Sequence, residues 1–342
     1  MAMSKTEIPM STGATDALVE GKSVLVAIPT LNEAKHIETC IRSLMTGDPR
    51  LRDAKLVVAD GGSTDATREI VTRLQRDFPN VELIENPARL QSAAVNLVAR
   101  EQRSDDHIYL VRCDAHAAYP PAYIMTVVDR LAEKASASLV VCMDSVGNST
   151  CFQAANAWVV DTPLGSGGSA HRGGSMSGYV DHGHHAGFAL ERFLSIGGYD
   201  ESFSHNEDAE LDERLTAAGG QIWLDANIRL AYRPRDRIGS LAKQYYNYGR
   251  GRARTLLKHK KRPKMRQLAP VALLLGSVTG IAFSAITPWT LLAPASYLGL
   301  LIGASLWGTF ATGSACGLLS GIAAGTMHMS WAAGFLRQMI IR

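Results

Sequence analysis

The chain has 342 residues, a formal net charge of +3 and charged residues at 20%, which fits one large domain or two ordinary ones. The charge is unevenly spread: no Asp, Glu, Lys or Arg occurs from Gln267 to Leu336. That run excludes a soluble helical bundle there, because such a bundle needs charged outer faces.

Residues 1–21 read as a flexible polar tail without the apolar core of a secretory signal. From residue 22 to about 143, short β-rich runs at 24–28, 56–59, 81–84, 108–111 and 139–143 alternate with helical apolar spacing at 33–45, 65–78, 91–102 and 122–134. Alternation of this kind predicts an α/β fold with a mostly parallel sheet flanked by helices. Ligands are then expected at the carboxyl ends of the strands. The residues leaving those strands are Pro29-Thr30-Leu31-Asn32-Glu33, Asp60-Gly61-Gly62-Ser63-Thr64-Asp65, Asn86-Pro87-Ala88-Arg89 and Asp114-Ala115-His116. Asp65 is expected to cap the helix that follows it.

From 144 to 181 the texture changes. The run Gly165 to Ser175 is too rich in Gly and Ser to pack a core and reads as a mobile loop over a site. A second structured region follows, with a strand near 188–190, a helix over about 207–218, strands near 222–224 and 228–232, and a helix from about 238. The expected organisation is therefore a tail (1–21), an α/β domain (22–260, in two halves at 22–143 and 144–260) and a membrane-embedded region (261–342).

Arg250, Arg252, Arg254, Lys258, Lys260, Lys261, Arg262, Lys264 and Arg266 form a basic collar just before the uncharged run. Such a cluster beside a membrane segment marks the cytoplasmic side; nucleic-acid binding explains the location less well. Spans are expected at 271–287, 291–310 and 316–336, although the first is short. Basic residues at both ends favour an even number of crossings, which conflicts with three. Cysteines 40, 113, 142, 151 and 316 are scattered and odd in number, so reduced thiols are expected.

The chemistry concentrates on the strand ends. Asp60 could accept hydrogen bonds from a base or ribose, or simply shape the turn before Gly61-Gly62. Neither a GxGxxG nor a GxxxxGK[ST] pattern occurs. A nucleotide diphosphate calls for a hard divalent cation held by few protein ligands; Asp114 and His116 could supply two, and Arg89 a diphosphate contact. The acids of Glu207-Asp208-Ala209-Glu210-Leu211-Asp212 suit a helix N-terminus, but one of them could also take a proton from an attacking hydroxyl. The histidines 171, 182, 184, 185 and 205 lack zinc spacing; His184 or His185 is better read as a contact to sugar hydroxyls.

Taken in order, Pro29–Glu33, Asp60–Asp65, Asp114-Ala115-His116, Gly197-Gly198-Tyr199-Asp200 and Glu207-Asp208 resemble the motifs of inverting family-2 glycosyltransferases with the GT-A fold. The resemblance covers residues 22 to about 260. It implies that Pro29, Thr30, Asn32, Glu33, Asp60 and Arg89 line the nucleotide-sugar site, that Asp60 holds a uracil, that Asp114 and His116 hold Mg2+ or Mn2+, and that Asp208 is the catalytic base. His116 stands where the family's pattern usually has a second Asp. The Gln-x-x-Arg-Trp of processive synthases is absent, which implies one sugar per acceptor. The likeness further implies a membrane-associated enzyme of exopolysaccharide assembly. Such an enzyme would move a hexose, glucose from UDP-glucose, to a polyprenyl-diphosphate-linked sugar in the cytoplasmic leaflet. Transfer to polyprenyl phosphate, or a non-catalytic nucleotide-binding scaffold, are the alternatives.

Overall fold

The computed structural model describes residues 18–341, so most of the tail expected at 1–21 lies outside the described residues. Eight strands form one sheet: β1 (Val24–Thr30), β2 (Lys55–Asp60), β3 (Val81–Glu85), β4 (Tyr109–Arg112), β5 (Ser138–Ser145), β6 (Gly178–Tyr179), β7 (His184–Ala189) and β8 (Ile222–Tyr232), in the order β3-β2-β1-β4-β7-β5-β8-β6. The first four are parallel, as the alternation predicts. The sheet is nevertheless mixed, because β7 enters antiparallel between β4 and β5. The two strands expected at 222–224 and 228–232 are one strand, β8, whose register against β5 shifts between Val141 and Cys142. The two halves expected at 22–143 and 144–260 therefore share a single sheet.

The helices are α1 (Ile37–Leu44), α2 (Thr67–Leu74), α3 (Gln91–Glu101), α4 (Tyr123–Lys134), α5 (Cys151–Val160), α6 (Pro163–Ser166), α7 (Leu190–Ser195), α8 (Glu207–Ala217), α9 (Ile238–Lys258), α10 (Met265–Ala282), α11 (Leu292–Thr312) and α12 (Ser320–Ile340). The parallel strands are apolar almost throughout because both sheet faces are covered. One core holds Val24, Val26 and Ile28 against α1 and α4, and the other holds Leu25, Ala27 and Val57 against α3. Helix α5 falls in a stretch whose Gly/Ser-rich continuation gave it the look of a loop. Thr150 caps it by accepting from the backbone NH of Gln153 at 3.0 Å.

One of the three apolar stretches departs from a plain row of spans. Among the described residues, α10 and the segment Pro288–Thr312 are the helices long and apolar enough to cross a membrane. Their outer faces leave Val278, Ile281, Ile302, Leu306 and Phe310 exposed. The third stretch, α12, packs instead along α9. Gly249 lies where a Cβ would meet the Trp331 carbonyl at 2.0 Å, and Gly334 where one would meet the Tyr246 carbonyl at 2.0 Å. This close approach buries Ala323, Ala324, Met327 and Ala332, and leaves two candidate spans by length and composition, an even number. The expectation of five reduced thiols is also corrected: Cys151 on α5 and Cys316, just before α12, form a disulfide, while Cys40, Cys113 and Cys142 are free and buried. Their separation of 165 residues hides that proximity from the sequence.

Candidate active site

The loops leaving β1 and β2 are stitched to each other. Asn32, at φ +56°, donates its NH to Ser63 Oγ (2.8 Å) and accepts from the Thr64 NH (2.8 Å). Glu33 NH donates to Thr67 Oγ1, and Thr30 O accepts from the Gly61 NH at 2.8 Å. Pro29 and Thr30 complete β1 opposite Ala59 and Asp60. The Asp60 carboxylate is buried and accepts from the NH groups of Gly62 (3.1 Å) and Ser63 (3.0 Å) and from Ser63 Oγ. Asp65, expected as the cap of α2, sits one residue before the cap position Ala66 and accepts from the Thr67 NH at 3.1 Å. Arg89 holds this loop, its Nε donating to Gly61 O at 2.9 Å, so its guanidinium fastens the Asp60 turn.

Beyond the end of β4 a cleft of about 1360 Å³ runs past Asp114 and Asp208 toward the apolar helices. Arg112 organises its floor. Its Nη1 donates to Asp208 Oδ1 at 2.7 Å and to the Tyr199 hydroxyl at 3.0 Å, and its Nε lies 3.6 Å from Asp114 Oδ1. Tyr199 in turn donates to Asp208 Oδ1 at 2.9 Å. The Gly197-Gly198-Tyr199 turn exists to place that ring: Gly198 has φ +72°, and a Cβ there would meet Asn96 Oδ1 at 2.3 Å. That oxygen instead accepts from the Tyr199 NH at 2.8 Å.

Burial alone would favour a protonated Asp208, but Arg112, with His185, His184 and the Tyr199 hydroxyl, holds its carboxyl well below the usual carboxylate range. Asp114 is likewise lowered, because Arg112, His184 and His116 together outweigh its burial. The neighbouring Glu207 is raised by burial and by Asp208. Two adjacent acids at the start of α8 are thus driven apart, one firmly ionised and one reluctant to ionise.

Asp114 Oδ1 accepts from Gln91 Nε2 at 2.8 Å. Its Oδ2 has no hydrogen-bond donor among the described residues, and His184 Nε2 lies 3.7 Å from it. Burial pushes His184 down to about 4, leaving a neutral imidazole beside the carboxylate. His116 lies on the rim, 66% exposed in its side chain, with Nδ1 3.5 Å from Glu33 Oε1. Among the described residues no group of three His, Cys, Asp or Glu could hold a metal ion by itself. A carboxylate with free lone pairs beside a neutral imidazole still fits a cation whose other ligands are substrate phosphates and water.

His185 does not face sugar. It is fully buried, with Nε2 2.7 Å from Asp212 Oδ1 and Nδ1 on Ser138 Oγ. Burial opposes its charged form, but Asp212 prevails and raises it. Asp212 also holds His182 Nδ1 at 2.5 Å. Of the expected site residues, Asp114, His116 and Asp208 line the cleft; Asp60 and Arg89 belong to the stitched loops beside it. Arg112 and Gln91 were not singled out from the sequence; Tyr199 stood there only as part of the Gly197–Asp200 motif, and His184 as a sugar contact rather than a neighbour of Asp114. For Arg112 there was a signal, a lone cation closing the apolar run Ile108 to Val111.

A profile described as Glycosyl transferase family 2 matches residues 25–189. The succinoglycan biosynthesis protein ExoA of Rhizobium meliloti (strain 1021) is 44% identical over 322 residues, covering 93% of this chain and 95% of that protein. A dolichyl N-acetyl-alpha-D-glucosaminyl phosphate 3-beta-D-2,3-diacetamido-2,3-dideoxy-beta-D-glucuronosyltransferase of Methanococcus voltae is 24% identical over 66% of this chain and 71% of its own length. Among solved structures, the mannosyltransferase PcManGT from Pyrobaculum calidifontis, in complex with GDP-Man and Mn2+, superposes with a TM-score of 0.57 at 20% identity, covering 92% of this chain and 86% of that one. This last likeness is one of fold.

Proposed function

Since the chain belongs to glycosyl transferase family 2, we propose that it adds one hexose from a nucleotide-diphosphate sugar, with inversion, to a lipid-linked sugar acceptor. The donor is UDP-glucose and the acceptor a polyprenyl-diphosphate-linked sugar of succinoglycan-like exopolysaccharide assembly, by analogy with the relative named for succinoglycan biosynthesis. The observation that carries this reading is the shared guanidinium: Arg112 reaches both Asp114 and Asp208 in one cleft whose far wall includes Leu273, Leu300 and Trp331 of the apolar helices. One cleft therefore offers a polar reaction centre and an apolar channel.

In this mechanism the stitched loops around Asp60 receive the nucleotide. The acceptor hydroxyl attacks the anomeric carbon from the side opposite the diphosphate. Asp208 accepts the hydroxyl proton while the bond to the diphosphate breaks, so no general acid is needed for a leaving group already anionic. As the donor's negative charge arrives, Arg112 gains a third anionic partner beside Asp114 and Asp208 and loosens its hold on Asp208, which becomes a better base. Asp114, with His116 or His184, would hold Mg2+ or Mn2+, which supplies charge neutralisation to the departing diphosphate. Helices α10 and α11 set the cleft against the cytoplasmic face of the cell membrane.

The test is transfer of radiolabel from a panel of UDP-sugars to lipid-linked acceptors in membranes containing the protein, with and without chelator. The expected product is a diphosphate-linked glycan one hexose longer, lost on chelation. A monophosphate-linked monosaccharide would point to polyprenyl phosphate as acceptor, and nucleotide binding without any transfer would overturn the enzymatic reading.

A further inference from the structure

Within the basic collar, two sets differ in a way that the sequence does not distinguish. One set is engaged by protein partners. Arg254 donates to Ser202 O at 2.6 Å, Lys258 pairs with Asp200 (2.7 Å) and Glu210 (2.5 Å), Lys261 pairs with Glu213, and Lys264 pairs with Asp181 at 2.7 Å. The other set lines the cleft. Arg252 on α9 and Arg266 on α10 both face it, and neither has an ion pair or a side-chain hydrogen bond among the described residues. The acids that act on Arg252 are Asp212 and Glu213, and both are already engaged. Asp212 is held between His182 and His185, and Glu213 by Lys261. Arg172, from the Gly/Ser-rich loop, joins them in the lining. Its Nη1 is buried without a partner, and its guanidinium lies 4.2 Å from the Tyr232 ring centroid.

An unpaired guanidinium in a partly enclosed cleft, as at half-buried Arg252 and Arg172, is unfavourable unless an anion completes it; Arg266 is exposed and adds its charge to the same lining. Arginine forks suit phosphate oxygens, which they grip bidentately. Beside these cations the same cleft is walled by Pro270 and Leu273 of α10, Leu300 of α11 and Trp331 of α12. A free nucleotide has no use for such a wall, but an apolar chain attached to a phosphate does.

We propose that Arg252 and Arg266, assisted by Arg172, bind the phosphate group of an isoprenoid-type acceptor whose apolar chain runs along Pro270, Leu273, Leu300 and Trp331. This subsite rests on the reading of the cleft as a transferase site with a lipid-linked acceptor. It is separate from the Arg112, Asp114 and Asp208 cluster assigned to the donor. It fixes the acceptor by its head group and leaves the terminal sugar to reach Asp208.

The experiment compares the full-length protein in zwitterionic nanodiscs with its Arg252→Gln/Arg266→Gln variant. Farnesyl diphosphate is the binding probe, and UDP and anionic phospholipid vesicles are controls. Because both arginines lack protein partners, the variant should keep the melting temperature of the parent; Arg266→Gln alone serves as a milder variant if it does not. The expected result is a loss of at least about tenfold in farnesyl diphosphate affinity, a matching rise in acceptor KM, and unchanged UDP affinity and donor KM. Unchanged farnesyl diphosphate affinity would overturn the subsite. So would an equal loss for UDP, or a loss confined to anionic phospholipid vesicles. If the parent binds farnesyl diphosphate through these arginines yet transfers no sugar, the transferase reading fails and the subsite stands. If transfer proceeds with an unaltered acceptor KM in the variant, the subsite fails and the transferase stands.

Discussion

Arg112 Nη1 donates to Asp208 Oδ1 at 2.7 Å, a contact that joins the end of β4 to the first turn of α8 across 96 residues of sequence. It keeps the proposed base ionised and in place before any substrate arrives. Its cost is basicity, since a carboxylate paired with a guanidinium is a poor proton acceptor.

Replacing Asp208 with Asn removes the proton acceptor but keeps a side chain that can still accept from Arg112 and Tyr199. Turnover should fall by about two orders of magnitude or more, with UDP affinity retained in calorimetry. Near-normal turnover would remove Asp208 from the mechanism.

Arg112→Gln should move the pH profile. Asp208 is held low in the folded protein, so without Arg112 it protonates at higher pH. The acid limb of kcat/KM should therefore shift upward by about 1–3 pH units. The variant should also lose about 3–5 kcal/mol of stability, because two part-buried carboxylates lose a shared cation. An acid limb that stays in place would mean that Arg112 does not control the base.

Glu210, one turn after Asn206, is buried among Arg214 (2.6 Å), Lys258 (2.5 Å) and His259 (3.0 Å). Burial raises its carboxyl, but these three groups together lower it. A lowered carboxylate stabilises the fold above its unfolded pKa of about 4.3, and this is lost as the pH falls through the lower folded value. Glu210→Gln should reduce the melting temperature at neutral pH and flatten its acid dependence. An unchanged melting curve from neutral to acid pH would count against Glu210 as the tie between α8 and α9.

Gly249→Val should separate α12 from α9, since the Trp331 carbonyl occupies the space a Cβ needs. The readout is limited proteolysis of α12 in detergent together with the melting temperature. A variant as resistant as the parent would show that the two helices do not depend on this contact.

Mass spectrometry after alkylation without reductant should recover Cys151 and Cys316 as a linked peptide pair. Cys40, Cys113 and Cys142 should be labelled only after unfolding, because they are buried. Recovery of all five as singly alkylated thiols would restore the reduced state first expected.

Much of this was legible because it is local. Strands β1 to β4 declare themselves by apolar runs ending in polar turns, and Asp114 and Asp208 by acids at a strand end and a helix start. The collar and the apolar run were equally plain, since charge is counted directly. Antiparallel β7 was less so: its six residues begin with two histidines, one aimed toward Asp114 and one buried on Asp212. Helix α12 was expected as a plain span, and its close packing on α9 through Gly249 and Gly334 was hidden, because apolar composition is the same whether a helix meets lipid or another helix.

The sequence by itself determined the α/β class, the family likeness and the acids on which the chemistry depends, because period, composition and strand-end position are properties of neighbouring residues. Only the tertiary structure decided which cation serves which acid. Arg112 goes to Asp208, Lys258 to Glu210, and Arg252 and Arg266 to none. Charge is additive along a chain, but pairing depends on distance and burial, and those exist only once β4, α8, α9 and α10 are packed together.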